Sequence, residues 1–133
     1  MSEPVLVGLL FADKIIIENN GKRGIIGTFN RFFSKKYPIA FPPWAIYAAV
    51  TNLEGKHEFA LTLVREETNQ VIMPLNGQFD VRGRNDVVEL TPSILGVVFP
   101  QPGTYVLTFS VDGIQLGARV LFVDQVKEEK GKK

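Results

Sequence analysis

The chain has 133 residues, enough for one domain, and at that length folding hides roughly two-thirds of the surface an unfolded chain exposes. Hydrophobic residues make up 45% and charged residues 22%, which excludes the apolar-poor composition of disorder; the lack of cysteine excludes a disulfide framework and a thiolate zinc site. The net charge of +1 is unevenly placed: residues 127–133 hold four lysines and two glutamates, so the body carries about −1, and general nucleic-acid binding is not expected of it.

The apolar run Val5 to Ala12 follows Glu3 and Pro4 rather than a basic segment, which suits a first strand and not a signal peptide. Lys14 to Glu18 and Arg23 to Phe29 flank Asn19-Asn20-Gly21 and predict a hairpin, with Val5 to Phe11 as a separate strand before it. Asn30 to Lys36 is expected to form a single helical turn, since Pro38, Pro42 and Pro43 end anything longer. Trp44, Ile46, Ala48 and Val50 alternate towards Asn52-Leu53-Glu54-Gly55, and Phe59, Leu61 and Leu63 alternate beyond it, which predicts a second hairpin. Ala45, Tyr47 and Ala49 on the other face of its first strand point to a central strand covered on both sides.

Further strands are expected over Gln70 to Met73, Gly77 to Val81, Val87 to Leu90 and Leu95 to Phe99, with Pro74 marking an edge or a break because it cannot donate a ladder hydrogen bond. Tyr105, Leu107, Phe109 and Val111 alternate before Asp112-Gly113, and Ile114, Leu116, Ala118, Val120 and Phe122 alternate after it. A two-residue turn at Asp-Gly sets 111 opposite 114, 109 opposite 116, 107 opposite 118 and 105 opposite 120, which places both apolar sets on one face. No stretch reaches the ~20 apolar residues of a membrane helix, and no helix is long enough for a parallel crossover. The expected fold is all-β: a two-sheet antiparallel β-sandwich of about seven or eight strands over residues 1–126, immunoglobulin-like or jelly-roll-like, with a charged flexible tail at 127–133.

Pro102-Gly103-Thr104-Tyr105 resembles the start of a late strand in immunoglobulin-like and fibronectin-like domains, where a tyrosine at such a corner bonds to backbone. More broadly, Gly21-Lys22 through Ile25-Ile26-Gly27-Thr28-Phe29, then Tyr37-Pro38, Gly103-x-Tyr105, Val111-Asp112-Gly113 and Arg119-x-Leu121-x-Val123 together resemble a family of uncharacterised bacterial domains. That resemblance implies a β-fold and assigns no functional residue.

His57 is the one histidine and follows a predicted turn, so it is expected to be solvated; no catalytic, metal or cofactor site is assigned. The acids weighed for general acid–base work are Asp13, Asp80, Asp86, Glu89 and Asp112, and turn or strand-end roles account for Asp13, Asp86 and Asp112. Gly21-x-x-Gly24-x-x-Gly27 opens no helix and so cradles no phosphate, while Gly83 between Arg82 and Arg84 is either a small anion nest or a solvated connection.

The segment Asn19 to Leu53 stands apart: it contains no acid, and Lys22, Arg23, Arg31, Lys35 and Lys36 are interspersed with Phe32, Phe33, Tyr37, Phe41 and Trp44. Either the rings fill the core beneath a proline-rich connection, or cations and rings together grip a partner. Arg31, Lys35, Lys36, Tyr37 and Trp44 are the candidate binding residues. The expected function is a non-enzymatic interaction module for a protein partner or another copy of itself, with no nucleic acid, membrane or cofactor, in the cytoplasm. The alternatives are a carbohydrate or small-ligand module using Tyr37, Trp44 and Tyr47, and an enzyme with a carboxylate site.

Overall fold

A computed structural model describes residues 3–127, so the tail expected at 127–133 lies outside the described residues beyond Lys127. The chain forms twelve strands: β1 (Val5–Ile17), β2 (Arg23–Phe29), β3 (Arg31–Ser34), β4 (Ile39–Ala40), β5 (Trp44–Thr51), β6 (Gly55–Arg65), β7 (Gln70–Val81), β8 (Val87–Leu90), β9 (Ser93–Ile94), β10 (Val98–Phe99), β11 (Gly103–Val111) and β12 (Ile114–Gln125). One sheet runs β2-β1-β5-β8 with β9 beside β5, the other runs β3-β12-β11-β6-β7, and β4 and β10 form a small ladder. The all-β sandwich is as expected, with more strands because short pieces pair separately.

Alternating apolar residues from both sheets meet in the core. Leu9 and Phe11 of β1 and Ile46 and Val50 of β5 are buried from one side, and Leu61, Leu63, Leu107, Phe109, Leu121 and Val123 from the other. Tyr105 is fully buried, and its hydroxyl donates to the Gln101 carbonyl at 2.6 Å, the corner bond expected of Pro-Gly-x-Tyr.

Four expectations need correction. The predicted hairpin of β5 and β6 does not exist: β5 pairs with β1, β8 and β9, β6 pairs with β7 and β11, and Asn52 to Gly55 carries the chain from one sheet to the other. Alternation is the same whether the next strand is a ladder neighbour or lies across the core. Asn30 to Lys36 is no helical turn, because β3 runs parallel to β12 with Phe122 opposite Arg31. Val5 to Phe11 is not separate but part of β1; Pro74, by contrast, does mark an edge, since β7 runs through it as the last strand of its sheet.

The fourth concerns the last hairpin. Asp112 and Gly113 both take positive φ, 52° and 82°, and Val111 faces Ile114 as expected. A β-bulge then intervenes: Ser110 faces Gln115, Phe109 faces Gly117, Leu107 faces Arg119 and Tyr105 faces Leu121. One extra residue turns every later side chain of β12 to the opposite face. Leu121 and Val123 are therefore buried, while Val120 is 40% exposed. At the inward position 117 a β-carbon would lie 2.7 Å from Leu6 Cδ2, so glycine fits the bulge.

The outer faces of the two sheets differ. Beyond Ala12, β1 pairs only with β2, yet Arg23, opposite Ile17, reaches Glu89 (Nη1 to Oε1 3.8 Å), which lies opposite Ala49 and hence level with Gly8 on the far side of β5. Nine residues of straight strand would separate Gly8 from Ile17 by roughly 30 Å, so the hairpin doubles back over its own sheet. Gly27 sits along this arm at φ 72°, where a β-carbon would strike the Asp13 carboxylate. Ala12, Ala45 and Ala49 are buried on this face, and Tyr47, its hydroxyl donating to Glu89 at 2.6 Å, is pushed up to about 12 by burial and then by that bond. Thus β5 is covered on both sides, as its sequence implies. The other sheet's outer face carries a row of paired valines, Val71, Val64, Val106 and Val120, with 50% of Val71 exposed at its margin.

Candidate functional site

The basic aromatic segment divides at Asn30. Before it β2 edges one sheet, and after it β3 edges the other, so one stretch of chain borders both. Strand alternation then sorts the rings: Phe32 turns inward and stacks on Phe41 with centroids 4.1 Å apart, whereas Phe33 turns outward and is 58% exposed.

Trp44 is 2% exposed and meets Phe11, Phe29 and Phe32 edge-on, with centroids 6.0, 6.3 and 5.5 Å away. It belongs to the core, and of the five candidate residues it alone takes no part in the surface. Tyr37 is half-buried and its hydroxyl donates to the Asp124 carbonyl at 2.5 Å; burial, followed by the Asp124 charge, raises its pKa. Tyr37, Trp44 and Tyr47 consequently present no row of exposed rings, the arrangement a carbohydrate platform needs.

Arg31 lies over the Phe122 ring with its guanidinium carbon 4.8 Å from the centroid, and pairs with the Asp124 carboxylate. That pair is neutral as a unit. Lys35 and Lys36 follow β3 as exposed residues, Ser34 Oγ turns the chain there by accepting from the Lys36 amide at 3.2 Å, and the Val126 amide donates to the Ser34 carbonyl at 2.9 Å. This last bond sets exposed Lys127 next to the same corner. None of the three lysines makes an ion pair with a described residue. A shallow groove of about 350 Å³ between the sheets, lined by Phe29, Asn30 and Arg119, opens alongside.

The corner is thus an apolar strip, Val120, Phe122 and Phe33, bridged by Arg31 and rimmed by uncompensated cations. Sequence reading missed Phe33 and Lys127. Phe33 becomes distinguishable from Phe32 once 31–34 is read as a strand.

At the opposite end of this sheet His57 is not solvated but clamped. Its Nδ1 lies 2.6 Å from Asp112 Oδ2 and its Nε2 2.9 Å from the Glu54 carbonyl, while Asp112 Oδ1 accepts from the Glu58 amide at 3.0 Å. Both ring nitrogens face acceptors, so the imidazolium fits best, and neither nitrogen is open for proton transfer to a substrate. The Asp112 bond raises the His57 pKa above its ordinary 6.5, and the Glu58 amide, then His57, lowers that of Asp112 below 3.8. The His57 contribution to stability is therefore complete below about pH 6.5 and lost as pH rises through the higher folded pKa; that of Asp112 is complete above about pH 3.8 and lost as pH falls through the lower folded value. Urea unfolding of the protein is expected to show its midpoint falling between pH 6 and pH 9, and His57→Gln is expected to flatten that decline. An equal decline in the variant would assign it to other groups. Among the described residues no group of three or more His, Cys, Asp or Glu could hold a metal ion.

Residues 8–124 match a family of unknown function, DUF6941. The chain belongs to this family. No curated protein matches it. Among solved structures, the Pseudomonas fluorescens alkylpurine DNA glycosylase AlkC, bound to DNA containing an abasic site analog, is similar at a TM-score of 0.54 and 8% identity, over 92% of this chain. This chain spans 31% of that glycosylase, and the likeness is one of fold. The CARDB domain of a Pyrococcus furiosus protein, in complex with di-metal ions, aligns over 94% of this chain and 96% of its own at 10% identity and a TM-score of 0.49. No helix among the described residues is long and apolar enough to cross a membrane.

Proposed function

We propose that this member of the DUF6941 family is a non-enzymatic interaction module whose β3 corner binds an acidic region of a protein partner. One observation carries the reading: Lys35, Lys36 and Lys127 lie at the end of the strand that carries a phenylalanine 58% exposed, and none of them makes an ion pair with a described acid. An exposed ring supplies desolvation energy, and clustered cations select the partner's charge and speed encounter. The valine row adjoins this strip, since Val120 and Phe122 share one face of β12, and it extends the area a partner can cover.

The near-neutral body and the neutral Arg31–Asp124 pair favour a protein over DNA, despite the ligand named for the glycosylase. The test is quantitative capture from cells of the source organism at low salt, comparing the protein with Lys35→Glu/Lys36→Glu. The double variant is expected to fold normally and to lose at least tenfold of an acidic protein retained by the unaltered chain. Retention of the same proteins in the same amounts by both would remove the corner from the account.

A further inference from the structure

We propose that the free edge of β3 receives an acidic, extended segment of the partner as an added strand, a deepening that rests on the function proposed above. β3 is the last strand of its sheet and pairs only with β12. The Phe122 amide donates to the Asn30 carbonyl and the Val126 amide to the Ser34 carbonyl, each at 2.9 Å. Backbone groups alternate sides along a strand, so Asn30, Phe32 and Ser34 face β12, while the N–H and C=O groups of Arg31 and Phe33 face away from it. These four groups have no hydrogen-bond partner among the described residues.

An open strand edge is a template for pairing, and proteins ordinarily blunt one by keeping it short or by placing lysines and prolines along it. β3 is four residues long with Lys35 and Lys36 just beyond it, so the edge disfavours pairing with a like edge and admits a short acidic segment whose charges the lysines match. Main-chain pairing supplies attachment without side-chain specificity, and flanking side chains supply selection. A segment paired along Arg31–Phe33 carries every second side chain on the face that Phe33 occupies, which suits apolar residues there. Lys35, Lys36 and Lys127 at the end of the edge suit acids in the same segment. Charge complementarity thus selects an acidic peptide with alternating apolar residues over a neutral or basic one.

The test uses the ¹⁵N-labelled full chain and a capped eight-residue peptide of alternating glutamate and valine. In the free protein the Arg31 and Phe33 amides are expected to exchange with solvent much faster than those of Phe32 and Ser34. Adding the peptide is expected to shift and protect the Arg31 and Phe33 amides. A peptide N-methylated at alternate residues, on the edge that would pair, is expected to bind at least tenfold more weakly, as is one with lysine in place of glutamate at low salt. Equal binding of the methylated peptide at this corner would overturn strand addition while leaving an acid-binding corner intact. Absence of any effect on β3 amides would overturn it too, and the capture experiment then decides separately whether the corner binds a protein. Tighter binding of a 20-base-pair DNA duplex than of the acidic peptide at the same residues would overturn both.

Discussion

Leu121→Glu is expected to abolish cooperative folding, whereas Val120→Glu, one residue away, is expected to leave a folded protein. Leu121 is fully buried opposite Tyr105, and a carboxylate there loses its hydration, so the penalty is about 4 kcal/mol or more. That is most of the stability of an ordinary domain of about 5–15 kcal/mol. Val120 is 40% exposed on the outer face, and a glutamate there is expected to cost about 1 kcal/mol or less. Circular dichroism and urea unfolding of the two variants give the answer. The reverse order, with the position-120 variant unfolded, would mean that the hairpin lacks its bulge.

Trp44→Ala is expected to cost about 3–5 kcal/mol, the usual range for removing a buried tryptophan. The indole is packed by Phe11, Phe29, Phe32 and Phe99, whose strands come from both sheets, so little of the cavity can be closed by local shifts. Thermal unfolding is expected to shift down by well over ten degrees or to lose its cooperativity. A loss of binding with unchanged stability would instead place the indole at the surface.

These two residues show how much of the fold the sequence revealed. The strands of the core, the Asp112-Gly113 turn, the Tyr105 corner and the doubly covered β5 could each be inferred from alternation and turn chemistry, because each depends on near neighbours in the chain. The bulge could not be read from alternation, since Leu116, Ala118 and Val120 offer as regular a pattern as Gly117, Arg119 and Leu121. Gly117 was the available signal, a glycine inside a strand where the opposite sheet approaches closely. The assignment of β5 and β6 to different sheets was illegible for a related reason: a three-residue connection reads alike as a turn or as a crossing, and only its tertiary setting separates them.

The candidate site was half legible. An acid-free stretch rich in cations and rings is visible in the sequence, and Arg31, Lys35 and Lys36 do lie at one corner. What separates Phe32 in the core from Phe33 at the surface is the parity of a four-residue strand that the prolines after it disguise as a turn, while Trp44 is buried as the first inward residue of β5. Lys127 joins the corner only through the pairing of the chain's end with Ser34, a contact between residues far apart in sequence.

Binding of a partner at this corner is read out by photo-crosslinking in cells. A benzophenone side chain is placed in turn at Phe33 and at Val87, which is also exposed, 49%, but lies on the edge strand β8 of the other sheet. A discrete crosslinked acidic protein is expected from position 33, diminished by Lys35→Glu/Lys36→Glu and absent from position 87. The same adduct from both positions, or an adduct from position 87 alone, would contradict it.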